Sequence, residues 1–270
     1  MASLREIISY ADRFLRVRDV KDWDNAVNGV QIENSGRVTR MGAAVDVSTR
    51  VLTEAVKRDV DLLIVHHGLF WPGLQPIQGA LHRQLRLAFE NDVALYSAHL
   101  PLDIHPRLGN NAQLVGALGL RKHVRGFKEG DPAVAGPRSK SVQPFLEEKG
   151  QPVGLEIRVS LHRSELVRKL QNAINGPVKL FDFGPKQTRA IGVVTGAAGS
   201  EIYRVAAEGI DTFITGEAPH WAAVAAEELG MNLLLGGHYA TEVFGVKAFA
   251  AHLSKRFRVP WEFIDYPTGL

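Results

Sequence analysis

The sequence predicts an α/β protein of two pseudo-repeated α/β units, with sheets flanked by helices, joined by a loop-rich central insert. Three observations predict it. Short apolar runs alternate with amphipathic segments along both halves of the chain. Val60-Asp61-Leu62-Leu63-Ile64-Val65 falls on Ile210-Asp211-Thr212-Phe213-Ile214-Thr215 at an offset of 150. Between the halves, residues 121 to 153 are rich in Gly, Pro and charge, the composition of surface loop rather than core. The expected division is residues 1–125 as a first unit and 126–270 as a second, with the C-terminal segment free to pack back on the first.

Taken in order, the first twenty residues carry Leu4, Ile7, Ile8, Ala11, Leu15 and Val17 near one helical face. Asp22 to Asn28 form a polar break. Residues 40 to 46 suit a buried strand, Ser48 to Arg58 a helix, Val60 to Val65 a strand, Leu81 to Glu90 a helix and Val93 to Tyr96 a strand. This alternation predicts parallel pairing with helices on the sheet. Residues 155 to 180 read as a strand, a helix capped by Ser164 and another strand start. The scheme then repeats: 190 to 196 strand, Ser200 to Glu208 helix, Ile210 to Thr215 strand, Pro219 to Leu229 helix, Asn232 to Leu235 strand.

Gly42-Ala43-Ala44-Val45 keeps the offset of 150 against Gly192-Val193-Val194-Thr195. An offset of 139 sets Ser97-Ala98-His99 on Gly236-Gly237-His238 and Asp103 on Glu242. Any two βαβ units share apolar strands, so the strands alone carry little weight. Both copies, however, end the third strand in His-x-x-x-carboxylate.

The chain of 270 residues is 45% hydrophobic, enough for a sizeable core, and its 32 basic and 29 acidic residues are interspersed. No nucleic-acid partner is expected from so modest an excess, although it favours a small anionic substrate such as a nucleotide. Arg121, Lys122, Arg125, Lys128, Arg138 and Lys140 of the insert would either meet phosphates or simply solvate a loop. The absence of cysteine leaves histidine and oxygen as the available metal ligands. The first residues lack the apolar core of a signal peptide, and no run approaches a membrane span, so a cytoplasmic protein is expected.

In open α/β sheets, ligands bind beyond the carboxyl ends of the strands. Polar groups gather at four such ends: His66 and His67, then His99 with Asp103 and His105, then Glu217, then His238 with Glu242. Adjacent strand residues point to opposite faces, so His66 and His67 are expected to share a site where the chain leaves the strand, with Gly68 supplying the turn. His238 and Glu242, four apart, share a face at the first turn of a helix. Imidazole with carboxylate suits Zn, Mn or Fe, and this many donors exceeds the need of one tetrahedral ion, which favours two divalent ions. His82, His123, His162 and His252 lie away from strand ends and are set aside.

The stretches NGVQIE (28 to 33), DLLIVHHGLFW (61 to 71), SAHLPLDIHPRLGNN (97 to 111), FITGE (213 to 217) and GGHYATE (236 to 242) resemble the Nif-three-like dinuclear metal-centre proteins, many catalogued as GTP cyclohydrolase 1 type 2 homologues. The resemblance runs from about residue 25 to the C-terminus. It implies a two-part α/β subunit, a ring-shaped homohexamer and two metal ions per subunit held by His66, His67, Asp103, His238 and Glu242. Tyr239 stands where relatives often carry a second histidine. The expected activity is metal-dependent hydrolysis, GTP cyclohydrolase-like, with Glu217 as general base or a support for a ligand, and His99 moving protons or orienting Asp103. Glu217 has the alternative of capping the helix near Pro219. A metal-dependent phosphoesterase and a non-catalytic scaffold stabilised by metal are the rival readings.

Overall fold

The computed structural model describes residues 2–124 and 145–270. Contacts divide the chain into two compact units, Met1–Leu102 with Gly245–Tyr266, and Asp103–Phe244 with Pro267–Leu270. The boundary expected at 125/126 lies outside the described residues, as do Arg125, Lys128, Arg138 and Lys140.

The first unit opens with α1 (Leu4–Leu15), helical because Leu4, Ile7, Ala11 and Leu15 recur at three to four residues and are all buried. It then forms β1 (Gly29–Ile32), β2 (Met41–Asp46), α2 (Thr49–Lys57), β3 (Leu62–His67), α3 (Gly79–Glu90) and β4 (Ala94–Ser97). Ser48 caps α2, its hydroxyl accepting from the Val51 amide at 3.1 Å. A single-turn helix, α4 (Leu100–Asp103), follows. The second unit contains α5 (Asn110–Ala117), β5 (Leu155–His162), α6 (Arg163–Ile174), β6 (Lys179–Asp182), β7 (Gln187–Val193), α7 (Ile202–Ala207), β8 (Thr212–Thr215), α8 (His220–Leu229) and β9 (Asn232–Leu235). The long α9 (His238–Phe257) crosses the division at 244/245, and β10 (Trp261–Phe263) belongs to the first unit. No described helix is long and apolar enough to cross a membrane.

Each unit has a five-stranded sheet, in the order β10-β2-β3-β4-β1 in the first and β6-β9-β8-β7-β5 in the second. The three inner strands of both are parallel, as the alternating pattern requires. Edge strands β1, β5 and β6 are antiparallel. They come from segments outside the βαβ pattern, and an antiparallel edge needs no crossover helix. Leu52, Leu63, Val65, Leu95 and Ile264 pack one core, and Leu166, Leu170, Ile191, Ile214 and Leu234 the other.

Two local expectations are corrected. The cap of α6 is His162, whose Nδ1 accepts from the Ser164 amide at 3.3 Å, rather than Ser164 itself. The segment expected as one helix from Ser200 begins as a 3-10 turn, Ala198–Glu201, before α7.

The pseudo-repeat extends to single hydrogen bonds. Met41 pairs with Leu62 in the first sheet and Ile191 with Thr212 in the second, both 150 residues on. Leu62 pairs with Ala94 and Thr212 with Asn232, so the third strands are related by 138 rather than the expected 139. The motif match at 139 arises from one residue added after the strand in the second copy. Asp61 accepts from the amides of Thr39 at 2.7 Å and Arg40 at 3.1 Å, while Asp211 accepts from Arg189 at 2.9 Å and Ala190 at 3.1 Å. The main-chain carbonyls of the same two aspartates accept from Ala94 and Asn232, both at 2.9 Å.

Charged acceptors of this kind contribute about 1–3 kcal/mol. Asp61→Ala and Asp211→Ala are each expected to lower unfolding free energy by that order in urea titrations. Unchanged midpoints in both would show that the clamps are incidental.

Candidate metal centre

In the first unit, His66 and His67 are the last residues of β3, so the strand runs two residues beyond its expected end at Val65. Pairing toward β4 stops at Val65 opposite Ser97, whereas pairing toward β2 continues to His67 opposite Asp46. The two imidazoles are therefore tied to different neighbours. Nδ1 of His66 donates to the Ala98 carbonyl at 2.8 Å, and Nδ1 of His67 to Asp46 Oδ1 at 2.8 Å. Gly68 is not among the glycines with positive φ. Its lack of a side chain instead admits Gln31, whose Nε2 would lie 2.2 Å from an added Cβ and whose Oε1 accepts from the Leu69 amide at 2.7 Å.

His99 joins this pair, with ring centroids 5.0 Å from His66 and 5.6 Å from His67. Its Nδ1 donates to Asp22 Oδ1 at 2.9 Å, and its amide to Asn28 Oδ1 at 2.7 Å. Burial opposes the charge on Asp22, but hydrogen bonds from His99, Asn28 and Trp23 outweigh it and hold that carboxyl below its usual range. Carbonyl and carboxylate oxygens accept only, so each Nδ1 carries a proton, and in a neutral ring Nε2 is then the accepting nitrogen. One nitrogen from each ring lies within 4.8 Å of the others. This orientation from behind is what metal-bound imidazoles require.

In the second unit, His238 opens α9 and Glu242 follows one turn later. His238 Nδ1 lies 3.1 Å from Glu217 Oε1, and its Nε2 3.1 Å from Glu242 Oε2. Burial disfavours the charged ring, yet Glu242 and then Glu217 outweigh it and raise its pKa to about 9. Glu217 thus supports a histidine. The N-cap of α8 is Pro219, with no side-chain cap bond, so the capping alternative for Glu217 is not what the structure places there. Asp103 ends α4 and is buried, its Oδ1 accepting from Asn110 Nδ2 at 2.8 Å. His105 Nδ1 accepts from the amides of Arg107 and Leu108, a turn-forming role. Tyr239 is buried.

Sequence reasoning missed Asp22, Asp46 and Asn110, which hold His99, His67 and Asp103 from behind, and Gln31, which packs on Gly68 and holds the Leu69 amide. It also missed Gly196 and Gly216. A Cβ at Gly196 would fall 2.2 Å from Glu242 Oε1, and one at Gly216 would fall 2.7 Å from the His238 Cα. Their signal was present as a Thr-Gly pair ending both neighbouring strands, VVTG and FITG. Imidazoles and carboxylates, without thiolate, are a donor set that fits a divalent ion such as Zn, Mn or Fe.

A relative from Deinococcus radiodurans named "GTP cyclohydrolase 1 type 2 homolog" is 34% identical over 267 residues, covering 98% of this chain and 94% of that protein. A Pseudomonas aeruginosa protein of the same name is 35% identical over 266 residues, covering 98% of each chain. The crystal structure of TTHA1606 from Thermus thermophilus superposes with a TM-score of 0.85 at 33% identity, covering 100% of both chains. The sequence profile of the Duf34/NIF3 (NGG1p interacting factor 3) family matches residues 2–268, and the chain belongs to that family.

Proposed function

We propose that this protein is a dinuclear metal-binding hydrolase whose ligands are His66, His67, Asp103, His238 and Glu242. One observation carries the reading: His66, His67 and His99 each have Nδ1 against an oxygen acceptor and bring one ring nitrogen within 4.8 Å of the others, while His238 and Glu242 face each other one helical turn apart. Two divalent ions, Zn, Mn or Fe, would supply activation of water and polarisation of the bond to be cleaved. Asp46 and Glu217 hold the rings of His67 and His238 in one orientation. Asp103 and Glu242 bring negative charge that offsets the cations. His99 takes up a proton at Nε2, with Asp22 behind it stabilising the imidazolium. The substrate is a small anion, and the names of the relatives support a nucleotide acted on in a GTP cyclohydrolase-like manner. The same reading includes a cytoplasmic homohexamer.

Elemental analysis of protein purified without added metal is expected to give about two ions per chain, and fewer in His66→Ala, Glu242→Ala and Gly216→Ala. A parent that stays metal-poor after reconstitution with Zn, Mn or Fe would end the proposal.

A second prediction concerns pH. A metal must displace the proton that Glu242 and Glu217 hold on His238, because only the neutral ring is a ligand. The folded pKa lies above the usual 6.5, at about 9, so the proton competes throughout that window. Metal affinity is expected to rise with pH up to about 9, by no more than about tenfold per unit for one released proton. Competition titrations with a chelator would read this, and an affinity unchanged between pH 6.5 and 9 would contradict it.

A further inference from the structure

We propose that the cleft between α1 and the end of α9 is a second, non-catalytic binding site, one that takes a small compound carrying a chain of two or more phosphate groups. It stands apart from the metal centre. The cleft lies wholly within the first unit, and none of its lining residues belongs to the histidine group.

The cleft has a volume of about 510 Å³ and is lined by Arg5, Glu6, Ser9, Tyr10 and Arg13 of α1 with Arg256 of α9. That is the size of an ordinary small-molecule site. Arg5, Ser9 and Arg13 recur every four residues, so α1 presents them as one stripe along about 12 Å of helix. Arg256 is held against α1 by stacking: its Cζ lies 5.6 Å from the Tyr10 ring centroid and 5.7 Å from that of Phe257. Those two rings meet edge to face, 5.6 Å apart at 82°, and the Tyr10 hydroxyl lies 2.7 Å from His252 Nε2. Stacking occupies only the face of a guanidinium, which leaves its in-plane N–H groups for an acceptor. The aromatic floor is therefore fixed before any ligand arrives.

Charge names the ligand. Three guanidiniums against one carboxylate leave the cleft at +2. Arg5, Arg13 and Arg256 form no ion pair with Glu6 or with any other carboxylate among the described residues, whereas Arg16, Arg58 and Arg86 of the same unit are each paired. Helix dipoles account for three of the four charges: Glu6 is in the first turn of α1, and Arg13 and Arg256 are in the last turns of their helices. Arg5 has no such account. It is the second residue of α1, a cation at the positive end of the helix. An anion in the cleft would compensate it. Arg5 and Arg13 stand at opposite ends of the stripe, so a chain of anionic groups meets both where a single ion would not. Planar guanidinium forks match phosphate oxygens two at a time.

The test is calorimetric titration with tripolyphosphate and with orthophosphate, on the parent, Arg5→Gln, Arg256→Gln and Glu242→Ala. Tripolyphosphate is expected to bind at least about tenfold more tightly than orthophosphate, and each arginine variant to lose about fivefold. Both arginines are exposed, so the variants should melt with the parent. Glu242→Ala, which alters only the metal centre, should keep the arginine-dependent binding. Binding that survives both arginine variants and vanishes in Glu242→Ala would assign the anion to the metal centre and overturn the inference. No binding by the parent, or equal affinity for the two ions, would overturn it too. A single-stranded oligonucleotide that displaces tripolyphosphate and depends more strongly on the same arginines would assign the cleft to a macromolecule, and the small-molecule reading would fall.

Discussion

In both units the aspartate ahead of the middle strand sets the register of the sheet. Through its carboxylate it holds the backbone entering the first strand, and through its carbonyl the start of the third. The three parallel strands therefore begin level. In this register their carboxyl ends also finish close together. Side chains that would be scattered along a staggered sheet are delivered together, and this is why His66, His67 and His99 form one group, and why Gly196 and Gly216 lie against the turn of His238 and Glu242.

Level strand ends bring donors together, but they do not aim them. A buried imidazole costs free energy unless its N–H is paired, and His66 is fully buried. The Ala98 carbonyl meets that cost and in doing so dictates which nitrogen keeps the lone pair. Asp46, Asp22 and Glu217 repeat the arrangement for the other rings, with carboxylate oxygens in place of the carbonyl. The raised pKa of His238 expresses the same field: two carboxylates attract a positive charge strongly enough to overcome burial. A proton is the smallest cation that field accepts, and a divalent ion is attracted by the same charges.

Much of this was legible in the sequence, and the rest was hidden for physical reasons. The inner strands and their offset of 150 follow from apolar runs, whose burial on both faces leaves a continuous signal. The grouping of His66, His67 and His99 was legible because a polar residue after such a run has few structural reasons to be there. The true end of β3 was not, because one flank of the strand stops pairing two residues before the other. Gly68 was expected to bend the chain, yet its role is to leave room for Gln31, a contact between residues 37 apart that no local pattern encodes. Asp22 sits in a polar break without periodicity and is tied to His99 across 77 residues. Of the antiparallel edges, β5 and the start of β6 were read from the sequence, whereas β1 escaped notice because a four-residue, half-exposed strand carries neither a long apolar run nor a helical period.

The slip between offsets of 138 and 139 shows how a duplicated scaffold yields different chemistry. After the third strand the first copy runs Ser97-Ala98-His99 and the second Leu235-Gly236-Gly237-His238. The added residue, Gly237, takes a left-handed φ of +89°, a conformation a side chain would strain. Its carbonyl accepts from the Thr241 amide at 3.0 Å, so the chain is already winding when it reaches His238. His238 thus opens a helix of 20 residues and has Glu242 on the same face. His99, without the extra residue, precedes only the single turn of α4 and is braced by Asp22 from elsewhere in the chain. One strand end presents an imidazole beside a carboxylate and the other an imidazole backed by one. The first pairing suits ligation with charge compensation, and the second suits a ring that must both hold its tautomer and carry a proton.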